Sequence, residues 1–163
     1  MKARTSIISI SVSVLLTMVL MVNLEAGKKY SERSKEVMSS VQREETEMPD
    51  GRISVIGRNS GTVIYEDTNH PLHMSKKICI GITIRDANRE TFQGSGTCQM
   101  TDADGDVAWS WWQGNNEGGT WVSAHGTGKY EGIKGEGTWK RPAVVEFPDG
   151  GWILEIDGTT ELK

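Results

Sequence analysis

The residues able to do chemistry in this 163-residue chain are few, and most of them are aromatic or paired. Cys79 and Cys98 are the only thiols. Neither has a CxxC neighbour or a flanking histidine, so metal ligation is disfavoured and a disulfide is expected if the chain meets an oxidising compartment. Six tryptophans fall in the second half of the chain. Trp109 and Trp111 share one face of a strand by parity, and Trp121 shares a face with Ser123 and His125. Large apolar walls with a few polar groups suit a small-molecule pocket, so Trp109, Trp111, Trp121 and His125 are the candidate ligand-binding residues. The plainer alternative is that the indoles fill a core or an oligomer face, and stacking against a sugar is a further use.

Arg85 lies on the same strand face as Cys79. Pointing into a lumen it could hold an oxyanion or enolate, which makes Arg85, with Tyr65 and Asp106, the candidate catalytic set. No nucleophile motif such as GxSxG occurs. Other motifs dissolve on inspection. His70 and His73 form an HxxH pair near Glu66 and Asp67, but in a Pro-containing loop they read as solvated rings. His125 alone reads as a structural hydrogen-bonding group. "DADGD", Asp102 to Asp106, alternates carboxylates like a calcium loop, yet Val107 occupies the position that must be glycine and Gln113 the position that should be glutamate. Gly126, Gly128 and Gly132 give GxGxxxG, one residue too long for a dinucleotide loop, and Gly128-Lys129 lacks the rest of a Walker loop. No metal and no cofactor is expected.

From Gly51 onward, short runs of Val, Ile, Thr and Trp alternate with Gly and Asp about every ten residues, the pattern of an all-β domain. Expected strands are 52–58, 61–66, 77–85, 91–101, 106–113, 120–127, 135–140, 143–147 and 152–157. So many short strands without a crossover point to an antiparallel meander that closes on itself to remove its edges. A turn centred on Asn88 and Arg89 makes paired numbers sum to 177, which sets Cys79 opposite Cys98 and favours their bridge. Asp104-Gly105 as a two-residue hairpin makes the next pairs sum to 209. Met100 then faces Trp109 and Cys98 faces Trp111, while Ile78, Ile80, Ile82 and Ile84 share the other face with Ala108, Ser110 and Trp112. Both faces carry apolar groups, so the outer one should be covered, for instance by another subunit. In "GTGKYEGIKGEGTWK", Gly126 to Lys140, the glycines read as spaces left beside Tyr130 and Trp139 so that strands can bend around rings, with "EGIKG" as the turn.

The first 50 residues differ. Lys2 and Arg4 precede an uncharged run from Ile7 to Val22, and Ala26-Gly27 offers a cleavage point, so residues 1–26 read as an export signal or, if retained, a membrane anchor. Residues 27–50 are polar, with Val37, Met38 and Val41 at helical spacing, and read as a linker carrying at most a short helix. The domain proper is then 51–163, in a secreted or periplasmic protein. The chain carries a net charge of −4. An acidic product without a basic stripe is poorly suited to nucleic acid.

"HGTGKYEGIKGEGTW" and the upstream "GSGTCQMTDADGDVAWSWW" together resemble the allene oxide cyclase barrel-like superfamily, which includes the dirigent proteins. The shared pattern, GxGKYxGIxGxGT after a DxDGD turn, covers roughly Cys79 to Trp139. The resemblance implies an eight-stranded antiparallel barrel with an interior cavity, often trimeric, whose characterised members cyclise or steer reactive, largely apolar small molecules. None of its matching positions carries a catalytic role onto this chain. The expectation is thus an exported barrel that binds a small apolar or aromatic molecule in its lumen and guides its cyclisation or coupling. Such a barrel needs an open lumen reached by a buried ionisable group. A purely binding barrel needs an apolar lumen without charge, and a structural barrel needs a lumen filled by its own side chains.

Overall fold

The computed structural model describes residues 27–141 and 151–163. Nine strands form one sheet: β1 Lys28–Ser31, β2 Ser34–Glu47, β3 Ile53–Tyr65, β4 Lys76–Arg85, β5 Phe92–Thr101, β6 Val107–Asn115, β7 Gly118–Gly126, β8 Lys134–Lys140 and β9 Trp152–Leu162. The sheet order is β1-β9-β2-β3-β4-β5-β6-β7-β8, and β8 pairs again with β9. Every pairing is antiparallel. Strands β2 to β9 therefore close an eight-stranded ring with no free edge, as expected. The β1–β9 and β2–β9 pairs share one register, and Glu32 N–H donates to Gly158 O between them, so β1 and β2 are one strand interrupted at residues 32–33.

That strand corrects the reading of residues 27–50 as a linker. Ser34, Glu36 and Met38 alternate inward and are buried, while Val37 and Val41 lie outside and exposed. The inward residues are largely polar because this end of the lumen is polar, so the alternation is invisible to a rule that expects apolar residues inside. Residues 52–58 and 61–66, read as two strands, are the single β3. Asn59 and Gly61 pair with Cys79 and Lys77 rather than turning. The signal or anchor assigned to residues 1–26 and the strand expected at 143–147 lie outside the described residues. Among the described residues, no helix is long and apolar enough to cross a membrane.

Cys79 and Cys98 are directly paired across β4 and β5 and form the expected disulfide. The next hairpin differs by one residue. Asp102 N–H donates to Asp106 O, Gly105 N–H donates to Asp102 O, and Gly105 takes φ +89°. The loop is therefore Ala103-Asp104-Gly105, a three-residue turn with glycine in the left-handed position. Pairs then sum to 208: Met100 faces Ala108 and Cys98 faces Ser110. A one-residue slip exchanges the faces of a strand, so Ala108, Ser110 and Trp112 point inward and Trp109 and Trp111 outward. Ile80 and Ile82 lie outside, each about half exposed, on the same face as Trp111 and Val122.

The glycines do leave room for rings. A Cβ on Gly96 would lie 2.7 Å from Trp112 Nε1, one on Gly114 2.5 Å from Trp139 Cζ2, and one on Gly137 2.7 Å from Trp121 Nε1. Three indoles thus lie flat on bare stretches of barrel wall. Tyr130 behaves differently from the strand reading. It ends a single 3-10 turn, Gly128–Tyr130, and its hydroxyl lies 2.8 Å from Asp102 Oδ2 and 3.0 Å from the Pro71 carbonyl. Fully buried, Tyr130 packs with Val63, Leu72, Ala108 and Ile133 to plug one end of the barrel.

Candidate functional site

Above that plug the lumen holds a cavity of about 340 Å³. Trp112, Trp121, Trp139 and Trp152 line its walls, with Met38, Met100 and the disulfide. The four indoles come from four consecutive strands, β6 to β9, and the disulfide joins β4 to β5. This cavity is the candidate site.

Its floor is polar and closed. Tyr65 Oη donates to Glu32 Oε2 at 2.7 Å, and His70 Nε2 lies 3.1 Å from Glu32 Oε1. Leu72 N–H donates to His70 Nδ1, so the proton of that ring sits on Nε2 and faces the carboxylate. Tyr65 and His70 stack with centroids 3.6 Å apart. Beside them Lys77 Nζ donates to Glu36 Oε1 in a buried ion pair. Burial pushes the Glu32 carboxyl up, but hydrogen bonds from His70, Thr160 and Tyr65 outweigh it and hold the group below its ordinary value. Burial, reinforced by the negative charge of Glu32, drives the Tyr65 phenol well above its ordinary value. The floor thus holds an ionised carboxylate next to a phenol that keeps its proton.

The opposite end of the lumen, its mouth, is cationic. Arg43, Arg85 and Arg141 line the cavity there with Phe92. Arg141 lies over the rings of Phe92 and Trp152, 5.4 and 5.5 Å from their centroids. Arg43 pairs with Glu45, which also takes Arg89. Arg85 and Arg141 have no carboxylate partner among the described residues, and Arg85 Nε is buried without an acceptor. Desolvation, followed by repulsion from Arg43 and Arg141, lowers the pKa of Arg85, and desolvation lowers that of Arg141.

The structure sorts the residues singled out in the sequence. Arg85 lies at the mouth, Tyr65 at the floor, and Trp121, Cys79 and Cys98 on the wall. Asp106 does not reach the lumen; its carboxylate accepts from Lys129 N–H and seats Gly128, whose φ of +52° and lack of room for a Cβ both demand glycine. Trp109 and Trp111 are on the outer surface because of the three-residue loop. His125 is there too, stacked on Trp109 at 5.8 Å, because Ala124 on β7 is an extra residue opposite the Trp109–Ser110 step of β6, a bulge that turns the end of β7 over. His70, read as a solvated loop ring, is buried against Glu32. Sequence reasoning missed Glu32, Glu36, Lys77, Arg43, Arg141, Trp112, Trp139 and Trp152. Parity with Cys98 would have found Trp112 once the loop length was right. Among the described residues, no cluster of three or more His, Cys, Asp or Glu is arranged to hold a metal ion.

Against solved structures, the chain is similar to the pterocarpan synthase dirigent protein GePTS1, with a TM-score of 0.52 at 14% identity over 99% of this chain and 97% of that one. It is also similar to the pterocarpan synthase dirigent protein PsPTS1, with a TM-score of 0.48 at 14% identity over 85% of this chain and 98% of that one. No protein-family profile and no curated protein sequence matches the chain. The shared feature is the fold, a dirigent-type antiparallel barrel.

Proposed function

We propose that this chain is an exported barrel that takes a small apolar or aromatic molecule into its lumen and steers its cyclisation or coupling. The observation that carries the proposal is a cavity of about 340 Å³ walled by four indoles and reached by the buried carboxylates of Glu32 and Glu36. A structural barrel would fill that space, and a purely apolar binder would keep charge out of it. The disulfide favours an oxidising compartment. In this reading the indoles hold the rings of the guest, and the closed walls exclude water from a reactive species. Glu32, kept ionised by its neighbours, stands where it can accept a proton from the guest, and Tyr65 keeps a proton within the same hydrogen-bonded set.

A second reading, non-catalytic binding, draws on the fact that Glu32, Tyr65 and His70 are already satisfied by one another. Native mass spectrometry of the protein taken from its own compartment tests the first reading and separates it from the second. A defined small molecule should accompany the wild type. If Glu32 works on the guest, Glu32→Gln should accumulate a different species, distinguished by mass or chromatographic retention. If the barrel only binds, the same species should accompany both. An empty lumen whose tryptophan fluorescence no aromatic compound quenches would overturn both.

A further inference from the structure

We infer that the guest of this lumen is an anion: an aromatic body seated among the tryptophans, carrying a carboxylate that the arginines of the mouth hold. The inference rests on the lumen-binding reading above and names the chemical class of the ligand.

Arg43, Arg85 and Arg141 converge on one end of a cavity whose remaining wall is mostly aromatic and aliphatic. They come from β2, from the end of β4 and from the residue after β8, so three separate stretches of chain deliver a guanidinium to the same place. Glu45 is the carboxylate that faces them among the described residues, and it is shared between Arg43 and Arg89. Among the described residues, neither Arg85 nor Arg141 forms an ion pair with a carboxylate. Gathering like charges and partly desolvating them costs free energy, and folding gains nothing from it that a neutral side chain would not supply.

An incoming carboxylate reverses that balance. It brings acceptors for guanidinium N–H groups, including the buried Arg85 Nε, and its charge relieves the repulsion between Arg85 and its neighbours. Arg141, held over Phe92 and Trp152, carries guanidinium N–H donors in the fork that a carboxylate can meet two at a time. The far end of the lumen argues for the same orientation. There Glu32 and Glu36 are buried, and a carboxylate placed beside them would be repelled, so the anionic group faces the mouth and the apolar body faces the floor.

A matched pair of probes tests the inference on the full chain: 2-naphthoate and its neutral counterpart 2-naphthalenemethanol, titrated by calorimetry and tryptophan quenching. The expected result is that the carboxylate binds at least about tenfold more tightly than the alcohol, with a preference that shrinks as salt rises. In Arg85→Gln and Arg141→Gln that preference should vanish while the alcohol binds as before. Retained alcohol binding also reports that the variants have folded. If both probes bind the wild type equally, or the preference survives in both variants, the inference fails while lumen binding stands. If neither probe binds, the lumen-binding reading falls, and this one with it.

Discussion

At the floor of the lumen the charges of Glu36 and Lys77 meet each other and Glu32 meets donors from Tyr65, His70 and Thr160, whereas at the mouth Arg141 meets the rings of Phe92 and Trp152 and Arg85 meets no carboxylate among the described residues. Both ends line the same cavity and both carry charge, buried at the floor and half-buried or exposed at the mouth. The difference is that, among the described residues, the floor has its partners without a guest and the mouth does not. A buried polar group whose partners belong to the protein contributes to holding the fold, and one whose partner is missing contributes to recognition. The two ends should therefore respond oppositely to the removal of a charge.

The largest effect is expected at the floor. Lys77→Met leaves Glu36 buried with its partner gone, which should cost about 3–5 kcal/mol. Denaturant unfolding of Lys77→Met against the double variant Lys77→Met/Glu36→Leu sharpens the test, since the double variant should recover most of the loss. Equal losses in both would mean that packing and not the pairing matters. Glu32 adds a pH signature. Its folded carboxyl lies below the ordinary 4.5, so folding favours the ionised form. Its contribution is complete above about pH 4.5 and is lost as pH falls through the folded value, and Glu32→Gln should flatten that acid limb of the stability profile.

The middle of the lumen should be less sensitive than the floor. Reducing the Cys79–Cys98 bridge, or replacing both residues with serine, releases a loop closed over a separation of 19 residues and should cost about 3 kcal/mol, read as a lower unfolding midpoint. Gly96→Ala sets a methyl group against the Ile80 carbonyl, the backbone of Gly81 and Trp112 Nε1, so about 1–3 kcal/mol should be lost with a change in indole fluorescence. A silent Gly96→Ala would show that the indole is not pressed on the wall.

These residues also show what was legible in advance. The disulfide was readable because both cysteines sit within a hairpin whose turn was placed correctly. The role of the glycines was readable because repeated glycine in strands has few physical causes. What escaped has two physical origins. The first is register: a three-residue loop in place of a two-residue one turned Trp109 and Trp111 outward and Trp112 inward, and a bulge at Ala124 did the same to His125. "MPDGR" carries the same chemistry, since Met48 N–H donates to Arg52 O around Gly51 at φ +81°, so the Asp-Gly pairs at 50–51 and 104–105 both close three-residue loops, whereas Asp157-Gly158 lies within β9. The second is the polar lumen. Glu32, Ser34 and Glu36 alternate inward, but because they are polar, the strand that bears them looked like a solvated tether. The polar end of the barrel broke the pattern that revealed the rest.

The smallest effect, and the one that most directly separates the two ends, is expected at the mouth. Arg85→Gln removes a charge that is partly desolvated and repelled by Arg43, Arg141 and Arg89, with Glu45 as its attractive neighbour. Glutamine keeps a donor for water at the same place. The ligand-free protein should therefore gain stability, on the order of a degree or two in Tm, where Lys77→Met loses many degrees. The gain should shrink in high salt, which already screens the repulsion at this accessible end. Saturating 2-naphthoate should reverse the ranking, because the wild type is stabilised by its bound anion and the variant is not. A Tm for Arg85→Gln below that of the wild type without ligand would place Arg85 among the residues that hold the barrel together, and the contrast between floor and mouth would lose its meaning.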